Sequence, residues 1–598
     1  MLSFDDFIPI LGECGPYQRR VLLYACILVI PTGAHIFAQV FLAAGTDHWC
    51  SNPPQWEVQN CTQFNNTSEC EAAKKNALIP TGAKCSRYDL AFDSVDFSAN
   101  LNATDYTNTT SGCEDGWTYD RSQYTRTIIQ DYDLVCERKT LPDMAQSIFA
   151  AGFLTGSFVF GWLSDWLGRQ ITVFIAVGCT AFFGTVVAFS PNFIMYCAIR
   201  FLLAASVMGL YFVAFVCATE YVGPSKRTLV GVLMADAFAL GYMLLAVLAY
   251  FIRDWQTLEL IISVPVFLLF AFIPLFPESA RWLLTRGEIQ KAKPILEKAA
   301  KCGKVTIPLS LYDQADSIKI KNPEKDAENE GERAPSYIDI LRYPNVRWRT
   351  LNMMFNWFVN NMVYYGISLS TASLGGNEFV AAFCSAAVEI PAYTSSLFEI
   401  EKWGRRVPLC VYLIVGGVAC IATIWIPLGA WRITVAMIGK FSLSASYGVV
   451  YIYAAELFPT PVRSIGLGLC CMASHLSGIV TPMILSLGLV IWAPLPLLIF
   501  GVLSIIAALL ALLFPETMGQ PLQETMEESE AFGKKKKHDV EQKPPSKTKD
   551  GVGYDRISMD DINEEKKLSN GGNDDHVQVN GTQDNGQNGG NEDNNVNA

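Results

Sequence analysis

Ionisable side chains are scarce in the long apolar stretches of this sequence, so the few that stand there mark where chemistry could occur. Glu389 lies in Ala386-Ala-Val-Glu-Ile-Pro391, and Asp236 lies in Val232-Leu-Met-Ala-Asp-Ala-Phe238. A charge at such depth costs several kcal/mol unless it is paired or faces water, so each is a candidate counter-charge for a ligand. Each also has a plainer reading. Glu389 could balance a buried base such as Lys440, and Asp236 could pair near the mouth of its segment, where Arg227 stands. Aromatic rings offer π faces to ammonium groups. Trp357 and Tyr364, seven apart, share one face of a helix, as do Tyr447 and Tyr451, four apart. Tyr365 and Tyr453 stand nearby, and such stripes serve packing as readily as binding. His475 is a further group, an imidazole that titrates near 6.5 when unperturbed and that could equally pack as a neutral side chain.

A second set of charges sits at the ends of the apolar segments and repeats. Asp165, Gly168 and Arg169 return 236 positions later as Glu401, Gly404 and Arg405. Glu220 and Arg227 return at the same offset as Glu456 and Arg463, and Pro277-Glu-Ser279 is echoed by Pro515-Glu-Thr517. Two copies of a six-segment unit explain this, and parallel repeats of that kind mark the major facilitator fold. An acid, a tight glycine turn and an arginine at helix ends can form a partly shielded latch. Breaking it as the halves rock would bias which face is open.

The elements that carry these residues are helices in a bilayer. The chain has 598 residues, 51% of them hydrophobic and only 17% charged. Twelve apolar helices would consume ~240 residues. Apolar windows fall near 21–42, 144–163, 171–190, 194–216, 228–252 and 257–276, then near 350–371, 377–399, 406–427, 431–453, 464–488 and 491–514. The predicted organisation is a cytosolic N-terminus (1–20), a first six-helix half (21–276), a cytosolic central loop (277–349), a second half (350–514) and a cytosolic disordered tail (515–598). Continuous apolar runs exclude a transmembrane β-barrel. The stretch Met1–Arg20 is polar and no cleavage-like site follows the first apolar run, so no secretory leader is expected.

Arg19, Arg20, Arg169, Lys226, Arg227, Lys402, Arg405, Arg406 and Arg463 gather on one side, which the positive-inside rule makes cytoplasmic, with both termini. The 43–143 loop is then outside. Its sequons at Asn60, Asn65, Asn66, Asn102 and Asn108 predict glycosylation. Its six cysteines, Cys50, Cys61, Cys70, Cys85, Cys113 and Cys136, predict ~3 disulfides with 15 connectivities open. The other cysteines are expected to be reduced packing residues. The net charge of −12 comes from acids in hydrophilic segments. No nucleophile–base motif, P-loop, metal-ligand spacing or basic domain is present, so neither an enzyme, a cofactor, a bound metal nor a nucleic-acid partner is expected. Lys534 to Lys537 reads as a juxtamembrane patch.

From Met1 to about Glu528 the sequence resembles the organic cation, organic anion and carnitine transporter family of the major facilitator superfamily. The Cys-rich first loop carries the resemblance, with Tyr132-Asp-Leu-Val-Cys136, Pro277-Glu-Ser-Ala-Arg-Trp282 and Asn356-Trp-Phe358. Val388-Glu-Ile-Pro-Ala-Tyr393 and Ala455-Glu-Leu-Phe-Pro-Thr460 extend it, and Ala249-Tyr-Phe-Ile-Arg-Asp-Trp255 is closest to the cation/carnitine side. The resemblance implies facilitative, alternating-access transport of small organic ions at the plasma membrane, with an acid at the position of Glu389 in the cation carriers. His475 replaces an acid of the cation carriers and a base of the anion and carnitine carriers. Thr32 and Leu210 replace asparagines of the sodium-coupled carnitine branch, which weakens sodium coupling. The expected function is transport of small organic cations, extending to zwitterions such as carnitine. An organic anion exchanger and a transport-inactive receptor or scaffold of the same fold are the alternatives, and the oligomeric state stays open.

Overall fold

The computed structural model describes residues 7–52, 67–80, 82–88, 109–308 and 336–533, all within one compact unit, 1–534. All five predicted sequons of the loop, Cys61 and residues 534–598 lie outside the described residues.

The first set of helices is α1 (Pro16–Phe37), α2 (Leu141–Leu167), α3 (Arg169–Val187), α4 (Phe193–Tyr221), α5 (Arg227–Phe251) and α6 (Trp255–Ser263, continued by a 3-10 segment, Val264–Ala271). The second is α7 (Pro344–Leu369), α8 (Glu378–Ala387), α9 (Glu389–Trp403), α10 (Arg406–Ala422), α11 (Ala430–Leu457), α12 (Arg463–Val490) and α13 (Leu495–Ala511). Among the described residues seven helices are long and apolar enough to cross a membrane, namely α1 to α5, α11 and α12 with their adjoining turns. α6 with its 3-10 continuation, α10 and α13 are shorter apolar helices. α7 and the α8–α9 pair fill the windows 350–371 and 377–399 but are more polar, because α7 carries Asn352, Asn356, Asn360 and Asn361 and α9 opens on Glu389.

Large apolar side chains stay on the outer faces, where lipid replaces water as the solvent. Tryptophans collect at the helix ends: Trp425, Trp431 and Trp492 near the side of the 43–143 loop, Trp162, Trp166, Trp348 and Trp403 near the opposite side. Indoles favour the headgroup level, so two such girdles suit a multi-pass membrane protein.

Between the two sets, α2 packs on α12, and α5 packs on α8 and α9. Several links join them on the loop side. Tyr124 and Gln123 donate to Glu378, each at 2.5 Å, and Phe41 stacks on Phe379 with ring centroids 5.5 Å apart. Arg253 lies over the Phe379 ring at 4.1 Å, and Lys139 Nζ donates to the Leu489 carbonyl at 2.8 Å.

The loop itself is pinned by two short antiparallel pairs, β1 (His48–Cys50) with β4 (Trp117–Tyr119) and β2 (Arg87–Tyr88) with β3 (Thr110–Ser111). Disulfides join Cys50 to Cys113 and Cys85 to Cys136, and Cys70 is also disulfide-bonded. The eleven cysteines elsewhere are free.

Two hydrophilic segments are more ordered than their composition predicts. The 277–349 connector contains helices Ala280–Thr285, Ile289–Gly303 and Tyr337–Arg342. The start of the supposedly disordered tail forms a helix, Met526–Ala531, whose Thr525 cap and Glu528 make a capping box. Glu530 then accepts the backbone N–H groups of Asn345 and Val346, capping α7, while Arg349 donates to the Ser529 carbonyl at 2.8 Å. These local hydrogen bonds offset ordering entropy that the segment's few apolar residues could not offset alone.

Candidate functional site

Pro391 explains the break between α8 and α9. It has no N–H to give the Ala387 carbonyl, and its ring clashes with that turn, so the helix restarts at Glu389. Glu389 thus opens a helix, where the macrodipole favours a negative charge. Its carboxylate is fully buried. Oε1 meets Lys440 Nζ of α11 at 2.8 Å and accepts from the Tyr364 hydroxyl of α7 at 2.8 Å. Lys440 Nζ also donates to Ser368 and sits 3.2 Å from the centroid of the Tyr364 ring. Glu389 Oε2 is buried and has no hydrogen-bond partner among the described residues. The pairing with Lys440, the plainer of the two readings of Glu389, is therefore present. The site holds an ion pair, not a lone acid.

Rings radiate from this pair. Tyr364 contacts Tyr447 (5.9 Å between centroids) and Tyr365 (5.3 Å). Tyr447 contacts Tyr451 (5.6 Å), and Tyr451 contacts Trp357 (4.3 Å). From the first half, Phe37 reaches Tyr364 and Tyr365 and stacks on Tyr242 at 4.1 Å. Trp357 is buried whereas Tyr451 is 42% exposed, so the cluster runs from closed core to open space. Its Nε1 and the Asn360 amide nitrogen are buried without hydrogen-bond partners among the described residues. Trp357, Tyr364, Tyr447 and Tyr451 are thus one contiguous surface. Tyr453 instead donates to the Pro515 carbonyl at 2.7 Å, away from this cluster.

His475 stands on α12 beside Ser474, which binds the Tyr447 hydroxyl at 3.0 Å. The imidazole is half-buried, with no hydrogen-bond partner among the described residues. Asp236 does not join the Glu389 cluster. It is half-buried on α5, and its Oδ1 is buried without a hydrogen-bond partner among the described residues.

Apart from Asn356, quoted as part of a family motif, the asparagines of α7 were not singled out from sequence, although four in one apolar window, largely four apart, are a readable signal. Asn361 donates to Ser474 and Ser477 and accepts from Tyr447, tying α7 to α12 behind the rings. Asn360 accepts from Ser446 of α11.

The predicted latches assemble differently from their sequence pairing. Arg169 makes a two-pronged contact with Glu220 (2.8 and 3.1 Å) and a single one with the largely exposed Asp165 (2.9 Å). Arg405 pairs with Glu456 at 2.7 Å. Glu401 does not pair with Arg405 and stays exposed, since its longer side chain reaches water while Glu456 comes from a neighbouring helix. Arg463 likewise takes no acid among the described residues and donates to the Phe458 carbonyl and Thr460. Arg227 is the first residue of α5.

The missing parts of the latch are Glu278 and Glu516, which cap the N-termini of α3 and α10. Glu278 accepts from the N–H groups of Arg169 (2.7 Å) and Gln170, Glu516 from those of Arg405 (2.9 Å) and Arg406. Gly168 and Gly404 have φ of +99° and +81°, and a Cβ at either would collide with the capping carboxylate. Burial raises the Glu278 pKa, partly offset by the backbone donors. At Glu516 burial also pushes upward, but four backbone N–H groups prevail and lower it. Each latch joins helices within one half, with its arginine fixed at a capped helix start.

The model of the family described as sugar (and other) transporter matches residues 57–528. The "Organic cation transporter protein" of Drosophila melanogaster is 41% identical over 538 residues, 89% of this chain and 96% of the relative. "Solute carrier family 22 member 3" of Mus musculus is 34% identical over 90% of this chain and 97% of its own length. The human "Organic cation/carnitine transporter 2" is 32% identical over 88% and 94%. Among solved structures, the inward-open xylose transporter XylE from E. coli aligns with a TM-score of 0.53 at 15% identity, covering 84% of this chain and 98% of that one, a likeness of fold. Helical architecture, transporter fold and relatives agree: this chain belongs to the organic cation, organic anion and carnitine transporter family of the major facilitator superfamily, and is a transporter, not an enzyme.

Proposed function

We propose that the chain carries small organic cations across the plasma membrane by alternating access, with the membrane potential as driving force and both termini in the cytosol. The observation that carries the reading is the half-satisfied Glu389, buried at a helix break with one oxygen unpartnered, beside a run of π faces. A substrate ammonium would take up Oε2 and lie against Tyr364, Tyr447, Tyr451 and Trp357. His475, next to the Ser474 that holds Tyr447, would tune selectivity by its charge, and Asp236 would act at the inner mouth. The two arginine latches would hold helix pairs rigid as the halves rock. Names of the relatives, organic cation and cation/carnitine transporters, support the same substrate class. The sequons and disulfides of the first loop fit an extracellular placement.

One charge moving across 100 mV is worth about 2.3 kcal/mol, enough to drive uptake without ATP. The test is uptake of labelled tetraethylammonium and carnitine, with and without sodium, in cells expressing the chain. Tetraethylammonium uptake should fall when potassium depolarises the membrane and ignore sodium. Voltage-independent uptake of an organic anion would reject the reading. Lys440 gives that anion-exchange alternative a structural foothold, a base able to bind a carboxylate if Glu389 releases it.

A further inference from the structure

Asp143 stands in the first turn of α2, at the end that meets the 43–143 loop. It is half-buried and caps no backbone N–H group, and no base or donor among the described residues bears on its carboxylate. Lys139, one turn earlier, gives its ammonium instead to the Leu489 carbonyl of α12. One turn further along α2, Gln146 and Ser147 are 5% and 3% exposed, yet Gln146 Oε1 and Ser147 Oγ lack hydrogen-bond partners among the described residues. The buried serines Ser164, Ser206 and Ser477 each donate to the carbonyl three residues back, whereas Ser147 does not. A first-turn acid steadies a helix through its dipole. That role needs neither the amide nor the hydroxyl beside it.

Spacings of three and four put Asp143, Gln146 and Ser147 on one face of α2. Ala150, seven residues past Asp143, shares that face and fixes where it points. A Cβ on Gly478 of α12 would come 3.6 Å from the Ala150 Cβ and 3.8 Å from Asn361 Nδ2. The face therefore lies in the seam between α2 and α12, one helix from each half. Asn361 accepts from Tyr447, so the seam leads to the ring cluster. Asp143 lies about 10 Å nearer the loop than Ala150 does.

The three groups share one chemistry. A carboxylate, an amide oxygen and a hydroxyl present acceptors side by side, and no base faces the carboxylate. At Glu389 the corresponding charge already meets Lys440. Such a set attracts a small cation and repels an anion. In this structure the links to Glu378 close the loop side, and parting α2 from α12 presents the three groups to that side.

We propose that Asp143, Gln146 and Ser147 form an outer binding site for organic ammonium ions, which captures the cation from the side of the 43–143 loop before it passes to Glu389. An uncompensated carboxylate in a narrow, low-dielectric cleft raises the local concentration of cations, so the site speeds loading. Cation binding stands on the geometry alone. The passage to Glu389 rests on the transport reading.

Both parts are tested on full-length protein. In detergent, Ser147→Cys places a thiol in the site, and mass spectrometry of its peptide follows modification by two methanethiosulfonates, one bearing trimethylammonium and one uncharged. Adding Asp143→Asn should lower the cationic-to-neutral rate ratio about tenfold, the scale of electrostatic steering. Adding Asp143→Glu should keep the ratio. If Ser147→Cys does not fold, Gln146→Cys carries the thiol, and Asp143→Ser replaces Asp143→Asn on the same ground. A ratio unchanged by loss of the carboxylate overturns the site. In proteoliposomes held at one potential, tetraethylammonium uptake is measured as sodium chloride replaces sucrose. Wild-type kcat/KM should fall as salt screens the carboxylate, whereas Asp143→Asn should start about threefold lower and respond less. Equal salt responses overturn capture and leave a cation site without that role. Wild-type uptake that requires sodium overturns the assignment to the substrate. No wild-type uptake, with the ratio still lowered by Asp143→Asn, defeats the transport reading and the passage to Glu389 together, while cation binding stands.

Discussion

Glu389 shows what a single residue type at one depth can and cannot say. Its presence in an apolar window marked it as a candidate counter-charge, and the same reasoning named Lys440 as its alternative partner. Which of the two held was not legible, because the answer depends on the rotation of α11 relative to α9. Removing one member of a buried pair costs about 3–5 kcal/mol by stranding the other. Glu389→Gln and Lys440→Gln should therefore each lower surface abundance as well as transport. The double variant Glu389→Gln, Lys440→Gln should regain abundance, since no charge is left unpaired. Its tetraethylammonium uptake, normalised to surface protein, should stay at least tenfold below wild type, about 1.4 kcal/mol of lost stabilisation. Recovery of normalised uptake in the double variant would make the pair purely structural. The aromatic spacing was also readable, and Trp357, Tyr364, Tyr447 and Tyr451 do form one surface. Tyr453, on the same helix, turns to a backbone carbonyl instead, a choice set by its facing neighbours and invisible in its spacing.

Among the elements, the latches were located by the 236-residue repeat; the Asp165–Arg169 pair it implies forms, whereas Arg405 takes Glu456 in place of Glu401. Sequence spacing pairs groups four apart, whereas the structure prefers acids from a different helix, Glu220 and Glu456. The reason is exposure: Asp165 is 74% exposed, and an ion pair in such a place contributes roughly 0–1 kcal/mol. Asp165→Asn should accordingly change uptake less than about twofold, while Glu220→Gln, which strands a buried arginine, should slow it about tenfold or more at comparable surface abundance. Equal effects from the two would remove the ranking. The capping acids give a second, pH-dependent expectation. Glu516 has a lowered folded pKa, so its contribution is fully present above its unfolded value near 4.5 and fades as pH falls through the folded value. Glu278 has a raised one, so its ionisation opposes folding at neutral pH, and that opposition is relieved as pH falls through the folded value. Glu516→Gln should cost about 1–2 kcal/mol at pH 7, as lost N-terminal caps do. That cost should shrink on acidification, read as the melting temperature of purified protein. Glu278→Gln should cost less at pH 7, because a neutral side chain there avoids the unfavourable ionisation. The reverse order would contradict the assignment.

At the scale of the whole molecule, apolar windows and the repeat were enough to specify a major facilitator architecture, because each helix must satisfy its own backbone in lipid. The facing state was not legible. It depends on contacts between halves that are far apart in sequence, such as Tyr124 and Gln123 with Glu378. Those links and the Phe41–Phe379 stack lie on the loop side, so this structure is closed there. A transporter that alternates must open that side to load, which makes the stack a point where motion can be stopped. Phe41→Cys and Phe379→Cys should each leave measurable uptake. The pair, treated with a short bifunctional thiol reagent, should hold the loop side shut and abolish uptake. Eleven other cysteines are free, so wild type and both single variants under the same reagent are the controls. Saturating tetraethylammonium applied first on the loop side should protect the double variant, because a loaded site keeps the two positions apart. Full uptake after complete cross-linking would mean that this face need not open, and rocking of the two halves would have to be abandoned as the transport motion.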